Sequence, residues 1–260
     1  SKDATNVVTA AELENIRMLA EKGDAGSQYK LGLHYESNKP ENFSLAARWY
    51  KKAAEQGLAA ARYRTGLCYA EGRGVKKNLQ ESVIWFRKAA EQGEGQAQFE
   101  LGRSLYLGYG TEANSEEAVK WLLKAANNGI SSAHYFIGLC YEIGDGVKED
   151  LTEAAKRYRK AAEQGIPAAQ CKIGLCHLKG EGVETNFSKA MEWLQKAADQ
   201  GDAQAQYEIH KCYANGYGVG KNIEEAIKWL KKSAENDYSE AQYRLSSRYS
   251  DGDGVVQDSQ

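Results

Sequence analysis

The stretch EIGDGVKED, residues 142–150, sets Gly144 and Gly146 on either side of Asp145 and follows them with charges. Three chemistries use such residues. Backbone amides of a glycine-rich loop cradle phosphate, spaced carboxylates hold calcium, and glycines supply left-handed turns. A second grouping invites metal chemistry. Cys171, Cys176 and His177 precede His210 and Cys212, and thiolate and imidazole are the ligands zinc prefers.

Neither grouping completes its pattern. A Rossmann or Walker phosphate loop follows a strand, and Walker A ends in Lys-Ser/Thr, which is absent here. The related DGDG at 251–254 lacks the spaced ligands and bidentate glutamate of an EF-hand. The cysteine and histidine spacing matches no zinc signature, so no metal and no cofactor are expected. There is no nucleophile elbow and no His-Glu-x-x-His, and the chain is expected not to be an enzyme.

The elements that carry these residues recur. Glycine pairs stand at Gly72/Gly74, Gly108/Gly110, Gly144/Gly146, Gly180/Gly182, Gly216/Gly218 and Gly252/Gly254, always 36 residues apart. A further glycine keeps the same step at Gly57, Gly93, Gly129, Gly165 and Gly201, with Asp237 in the sixth place. Gly23 precedes Gly57 by 34, because the first unit reads ESNKPEN where the others carry the pair. A fixed period of this length marks a tandem array in which neighbouring units share one core.

Each unit reads as two helices. The first has an alanine register (Ala61, Ala97, Ala133, Ala169, Ala205, Ala241) and a glycine register (Gly66, Gly102, Gly138, Gly174) for close helix approach. The second begins at Asn42, Asn78, Asn114, Asp150, Asn186 or Asn222, residues suited to capping the first-turn amides, and Asp258 continues the register. Glu81, Glu117, Glu153 and Glu225, three residues on, suit a capping box. Leu79, Val83, Phe86 and Ala90 then form one apolar stripe, and Lys-Ala-Ala-x-x-Gly ends the helix. The glycine pair therefore lies between two helices as a turn. Trp49, Trp85, Trp121, Trp193 and Trp229 share one register and read as a packing column, with Arg157 replacing the tryptophan in one unit.

The unit A-Q-x-x-[LI]-G-x-x-Y-x-x-G-x-G-V-x-x-[ND]-x-x-x-A-x-x-W-x-x-K-A-A-x-x-G, as in AHYFIGLCYEIGDGVKEDLTEAAKRYRKAAEQG at 133–165, resembles the Sel1-like repeat, a relative of the tetratricopeptide repeat. The resemblance implies an all-α, right-handed α/α superhelix, a solenoid of tandem helix-turn-helix repeats. It divides the chain into a tail and capping helix (1–23), repeats at 24–57, 58–93, 94–129, 130–165, 166–201 and 202–237, and a partial repeat at 238–260. It also implies an adaptor that assembles protein complexes. Some members carry two cysteines per unit bridging the helices. Cys68, Cys140, Cys176 and Cys212 share one register and Cys171 stands apart, which does not supply such pairs and mildly favours a reducing compartment.

Composition bounds the rest. With 42% hydrophobic and 27% charged residues the chain can build a core. A net charge of −2 gives no general pull toward nucleic acid, and no apolar run reaches the length of a membrane span, so neither partner is expected. The opening SKDATNVV shows no signal peptide and reads as a trimmed end, which leaves the compartment open. The sequons Asn42-Phe-Ser44 and Asn186-Phe-Ser188 fall on cap positions and read as coincidental.

In a repeat array, function belongs to the positions that vary. The varying first-helix positions concentrate apolar residues at the centre. Leu107, Tyr109, Phe136, Leu139 and Ile143, with Arg64, Glu100, Arg103, Lys172 and Lys179 around them, form the expected partner-binding surface on the concave face. The expected ligand is another protein or a peptide segment. Two other classes stay open: a dedicated inhibitor or immunity protein of a single toxin or effector, and a small-molecule or metal binder. The sequence identifies no partner and no oligomeric state.

Overall fold

The computed structural model describes residues 9–38 and 40–251. Gly252, Gly254 and Asp258 of the repeat registers, and the opening eight residues, lie outside them. The chain divides after Ile130 into two compact units. The first holds α1 (Ala10–Glu21), α2 (Ala25–Asn38), a 3-10 turn (Pro40–Asn42), α3 (Phe43–Glu55), α4 (Ala59–Glu71), α5 (Leu79–Ala90), α6 (Gly95–Leu107) and α7 (Ser115–Asn127). The second holds α8 (Ser131–Ile143), α9 (Leu151–Glu163), α10 (Pro167–Lys179), α11 (Phe187–Asp199), α12 (Ala203–Asn215), α13 (Ile223–Glu235) and α14 (Ser239–Asp251). No strand occurs among the described residues. Within each unit every helix packs on the next in sequence, so each unit stacks three helix pairs and one single helix, α1 in the first and α14 in the second.

The alanine register is fully buried, and the glycine register lets the two helices of a pair meet. A methyl on Gly138 would stand 2.5 Å from the Tyr158 ring, and one on Gly174 2.8 Å from Leu194 Cγ. In the sixth repeat His210 takes the glycine's place and meets the Ala226 carbonyl through Nδ1 at 2.8 Å, which requires the proton on that nitrogen.

Among the described residues the two glycines of a pair have different tasks. Gly180 ends α10 in the left-handed region at φ +75°, as Gly72, Gly108 and Gly216 end their helices. Gly182, at φ +69°, presses on the first turn of the preceding repeat's second helix. A Cβ there would fall onto the Leu151 carbonyl. Asp237, standing where five repeats have glycine, adopts φ +60°.

The caps divide into two kinds. Asn78, Asn114, Asp150, Asn186 and Asn222 accept from the amide three residues on. Asn42 makes no such bond, because the 3-10 turn carries it into α3 in helical conformation. The reciprocal capping box forms at Thr9 and Glu12 of α1. The glutamates expected to act in that way turn forward instead. Glu81 and Glu117 accept from the Trp85 and Trp121 indoles at 3.0 and 3.1 Å. Glu153 takes Arg157 Nε at 2.6 Å where a tryptophan would stand. A lysine three residues after each tryptophan lies over its ring, for example Lys124 at 4.0 Å from Trp121 and Lys196 at 4.3 Å from Trp193.

A polar ladder links successive repeats. Gln28, Gln98, Gln170, Gln206 and Gln242 each donate from Nε2 to a carbonyl eight residues upstream, in the last turn of the preceding second helix. Gln56, Asn128, Gln200 and Asn236 in turn donate to the Oε1 of Gln28, Gln98, Gln170 and Gln206.

Candidate interaction surface

The ten residues expected to meet a partner divide five and five between the units. In the first, Glu100, Arg103 and Leu107 follow one another along α6 at helical spacing. Glu100 Oε2 holds Arg103 at 2.6 Å, while Leu107 at the helix end is 40% exposed. Arg64, on α4, is turned to Glu36 Oε2 at 3.3 Å. Tyr109 is not on the helix face. It sits between the two glycines, and its neighbour Gly110 lies against Leu79, the first residue of α5. The same loop position places Arg73 over Phe43 and, in the other unit, Tyr217 on Phe187, with ring centroids 5.2 Å apart.

In the second unit, Phe136, Leu139 and Ile143 form one stripe along α8. Phe136 is half-buried, edge-on to Tyr135 at 5.4 Å, and Leu139 packs on the cluster around Tyr158. Ile143 is 63% exposed. From α10, Lys172 lies 2.8 Å from Glu142 Oε2, and the more exposed Lys179 lies 3.6 Å from Glu181.

Two constellations were not foreseen, and they are alike. Tyr50, wholly buried, donates to Glu36 Oε2 at 2.5 Å, and Arg64 from the next repeat completes the group. Tyr158, also buried, donates to Glu142 Oε2 at 2.5 Å, and Lys172 from the next repeat completes that one. Burial, reinforced by the glutamate acceptor, pushes both phenols well up, so both stay donors. For Glu142, burial acts to raise the carboxyl, and the bonds from Lys172 and Tyr158 overcome it, leaving it below the ordinary range. The signal was present in the sequence: tyrosine replaces an apolar residue only where glutamate occupies one first-helix position and a cation stands on the first helix of the next repeat.

The thiols and imidazoles do not converge. All five cysteines are free and buried. Burial raises Cys68 and Cys140 to about 12 and Cys176 and Cys212 to about 11. Cys176 belongs to the Tyr158 cluster, whereas Cys171 and Cys212 belong to the Leu194 cluster. His177 Nδ1 lies 3.3 Å from the Glu184 carbonyl, and His210 is held by Ala226. Among the described residues no group of three or more His, Cys, Asp and Glu is arranged to hold a metal, and no helix is long and apolar enough to cross a membrane.

Comparison with known proteins fits this architecture. The Sel1 repeat model matches residues 25–58, 59–94, 95–130, 131–166, 167–202, 203–238 and 239–260, and the chain belongs to the Sel1 repeat family. A protective antigen of uropathogenic Escherichia coli displaying an SLR fold is 35% identical with a TM-score of 0.81, covering 95% of this chain and 53% of its own. A Sel1 repeat protein from Oxalobacter formigenes is 33% identical with a TM-score of 0.74, covering 89% of this chain and 97% of its own. An F-box protein of Arabidopsis thaliana is 40% identical over 60 residues, 23% of this chain and 17% of the plant protein. The chain thus spans about half of the bacterial antigen and a small part of the plant protein. The fold is the all-α Sel1-like solenoid, and proteins built from this repeat are generally scaffolds for protein interaction, typically non-catalytic.

Proposed function

We propose that this chain is a non-catalytic scaffold that binds a protein partner through the first-helix faces of its repeats, on the concave side of the solenoid. The observation that carries the reading is a pair of exposed aliphatic residues at one repeat position. Leu107 and Ile143 occupy the last turn of their first helices, where neighbouring repeats place Glu71, Lys179 and Asn215. Scaffold residues repeat, whereas these two depart from the repeat toward apolar side chains on first helices that carry further apolar residues, the kind of surface on which a partner docks. The remaining surface in each unit, Arg64, Glu100, Arg103 and Tyr109 in one, Phe136, Leu139, Lys172 and Lys179 in the other, frames these two.

The test is affinity capture with the whole chain from cells of its source. Wild type is compared with a Leu107→Asp, Ile143→Asp variant and with Ile84→Asp, which alters an exposed residue of a second helix. A partner held by wild type and Ile84→Asp, and lost by the double variant, is the expected result. Equal capture by all three chains, each shown folded by circular dichroism, rejects the first-helix face.

A further inference from the structure

Cations on three first helices of the second unit already have counter-ions in the chain. Lys172 holds Glu142 at 2.8 Å, Lys211 holds Glu208 at 2.6 Å, and Arg244 holds Glu240 at 2.8 Å. The first pair is fixed more firmly than a surface ion pair. Glu142 also accepts the buried Tyr158 hydroxyl, and its side chain and that of Lys172 are only about a quarter exposed, at 26% and 24%. A partner carboxylate reaching for Lys172 would have to displace Glu142, leaving that charge half-buried and held by a phenol alone. Such an exchange gives up about as much as it gains. Lys179 has Glu181 beside it. What remains open is apolar and well supported. Phe136 leans edge-on against Tyr135 and Leu139 is packed on the core beneath, so the stripe that ends in exposed Ile143 is ordered before anything binds. A preordered apolar surface costs little to organise on binding.

We infer that the segment docking on the second unit presents an uncharged aliphatic or aromatic side chain to the Phe136–Leu139–Ile143 stripe, and that ion pairing contributes little to its affinity. The inference rests on the protein-binding reading above and gives that partner its chemistry. The Tyr158–Glu142–Lys172 group acts as a screen: by holding Lys172 it denies acidic segments a cation at the stripe.

The test uses a displayed library of random dodecamer peptides panned on the whole chain, with enriched sequences synthesised and measured by fluorescence anisotropy. Enriched peptides are expected to carry Leu, Ile, Phe or Trp anchors, and their Kd should change by less than about twofold between 50 and 500 mM NaCl. Ile143→Asp should weaken them at least about tenfold, and Ile143→Ser by a smaller factor. A Tyr158→Phe, Glu142→Gln variant, which frees Lys172, should gain salt-sensitive binding of Asp- and Glu-rich peptides that wild type lacks. Acidic peptides selected by wild type, weakened tenfold by salt and lost on Lys172→Met, would overturn the neutral-partner inference while leaving the scaffold reading intact. Apolar peptides indifferent to both Ile143 variants, or no enriched peptide at all, would also overturn it. The scaffold reading fails on separate ground, in the capture experiment.

Discussion

Two successive joints of the second unit share one backbone frame and are filled differently. Where α8–α9 meets α10–α11, Tyr158 reaches from the second helix to Glu142, and Lys172 of the following repeat closes the group. Where α10–α11 meets α12–α13, Leu194, Leu178 and Glu208 take those three places, and Glu208 pairs with Lys211 on its own helix. The glycine facing the filling is kept in both, Gly138 under the Tyr158 ring and Gly174 under Leu194. The frame therefore tolerates a polar or an apolar interior. What it requires is that the three positions agree, because a buried phenol or carboxylate without its partner is costly.

The severest test of that shared frame is the loop glycine. Gly182→Ala places a methyl on the Leu151 carbonyl at a left-handed backbone angle, and should lower the urea-derived stability by at least about 3 kcal/mol. A loss below about 1 kcal/mol would show that the loop does not bear on the neighbouring repeat.

The joints themselves separate at the next level. Tyr158→Phe should cost about 1–2 kcal/mol, because it strips a buried hydroxyl from a charged acceptor. Combined with Glu142→Gln in a double-mutant cycle it should show coupling of about 1 kcal/mol. Additive losses would mean that the tyrosine merely fills space as Leu194 does.

Acid should distinguish the joints more gently. The Glu142 carboxyl lies below its ordinary value in the folded chain, so its contribution is complete above the unfolded carboxylate range and fades as pH falls through the folded value. Between pH 7 and pH 3 the wild type should lose up to about 1 kcal/mol more than Glu142→Gln, read as the urea midpoint at each pH. Identical profiles would remove the ionic joint from the account.

Thiols give the finest comparison, since Cys176 and Cys212 stand at the same position in the two joints and both are raised to about 11. At pH 8 each is only about one-thousandth thiolate, and alkylation should be slow. The Tyr158→Phe, Glu142→Gln variant should quicken Cys176 severalfold and leave Cys212 unchanged, as followed by mass spectrometry. Equal quickening of both would mean that the whole unit had loosened.

Much of this was legible in the residues because the period is regular. The 36-residue step located the helices, the alanine and glycine registers and most of the asparagine caps, each of which depends on neighbours within a few positions. Asn42 escaped, since the first repeat replaces the glycine pair and enters α3 through a 3-10 turn. Glu81 and Glu117 fit the capping-box spacing, yet the indole four residues on offers a donor on the same helix face. The Tyr158 and Tyr50 groups depend on residues 14–30 positions apart and show only when several departures from the repeat are read together. At the candidate surface, the open positions Leu107 and Ile143 could be anticipated. The self-neutralised state of Arg64 and Lys172 depended on distances that no periodicity supplies.

The glutamine ladder bears on how such a chain is made. The Ala162 carbonyl in the last turn of α9 finds a donor in Gln170, which belongs to the next repeat and leaves the ribosome later. A nascent chain that has just completed α9 is therefore unfinished by one side chain, and α10 supplies it. Where a glutamine holds this position, a second helix is sealed by a residue made after it. For anyone trimming the molecule the rule is the reverse of intuition: a cut after Lys179, within a repeat, keeps the Gln170 donor on α9, whereas a cut after Gly165, at the repeat boundary, removes it.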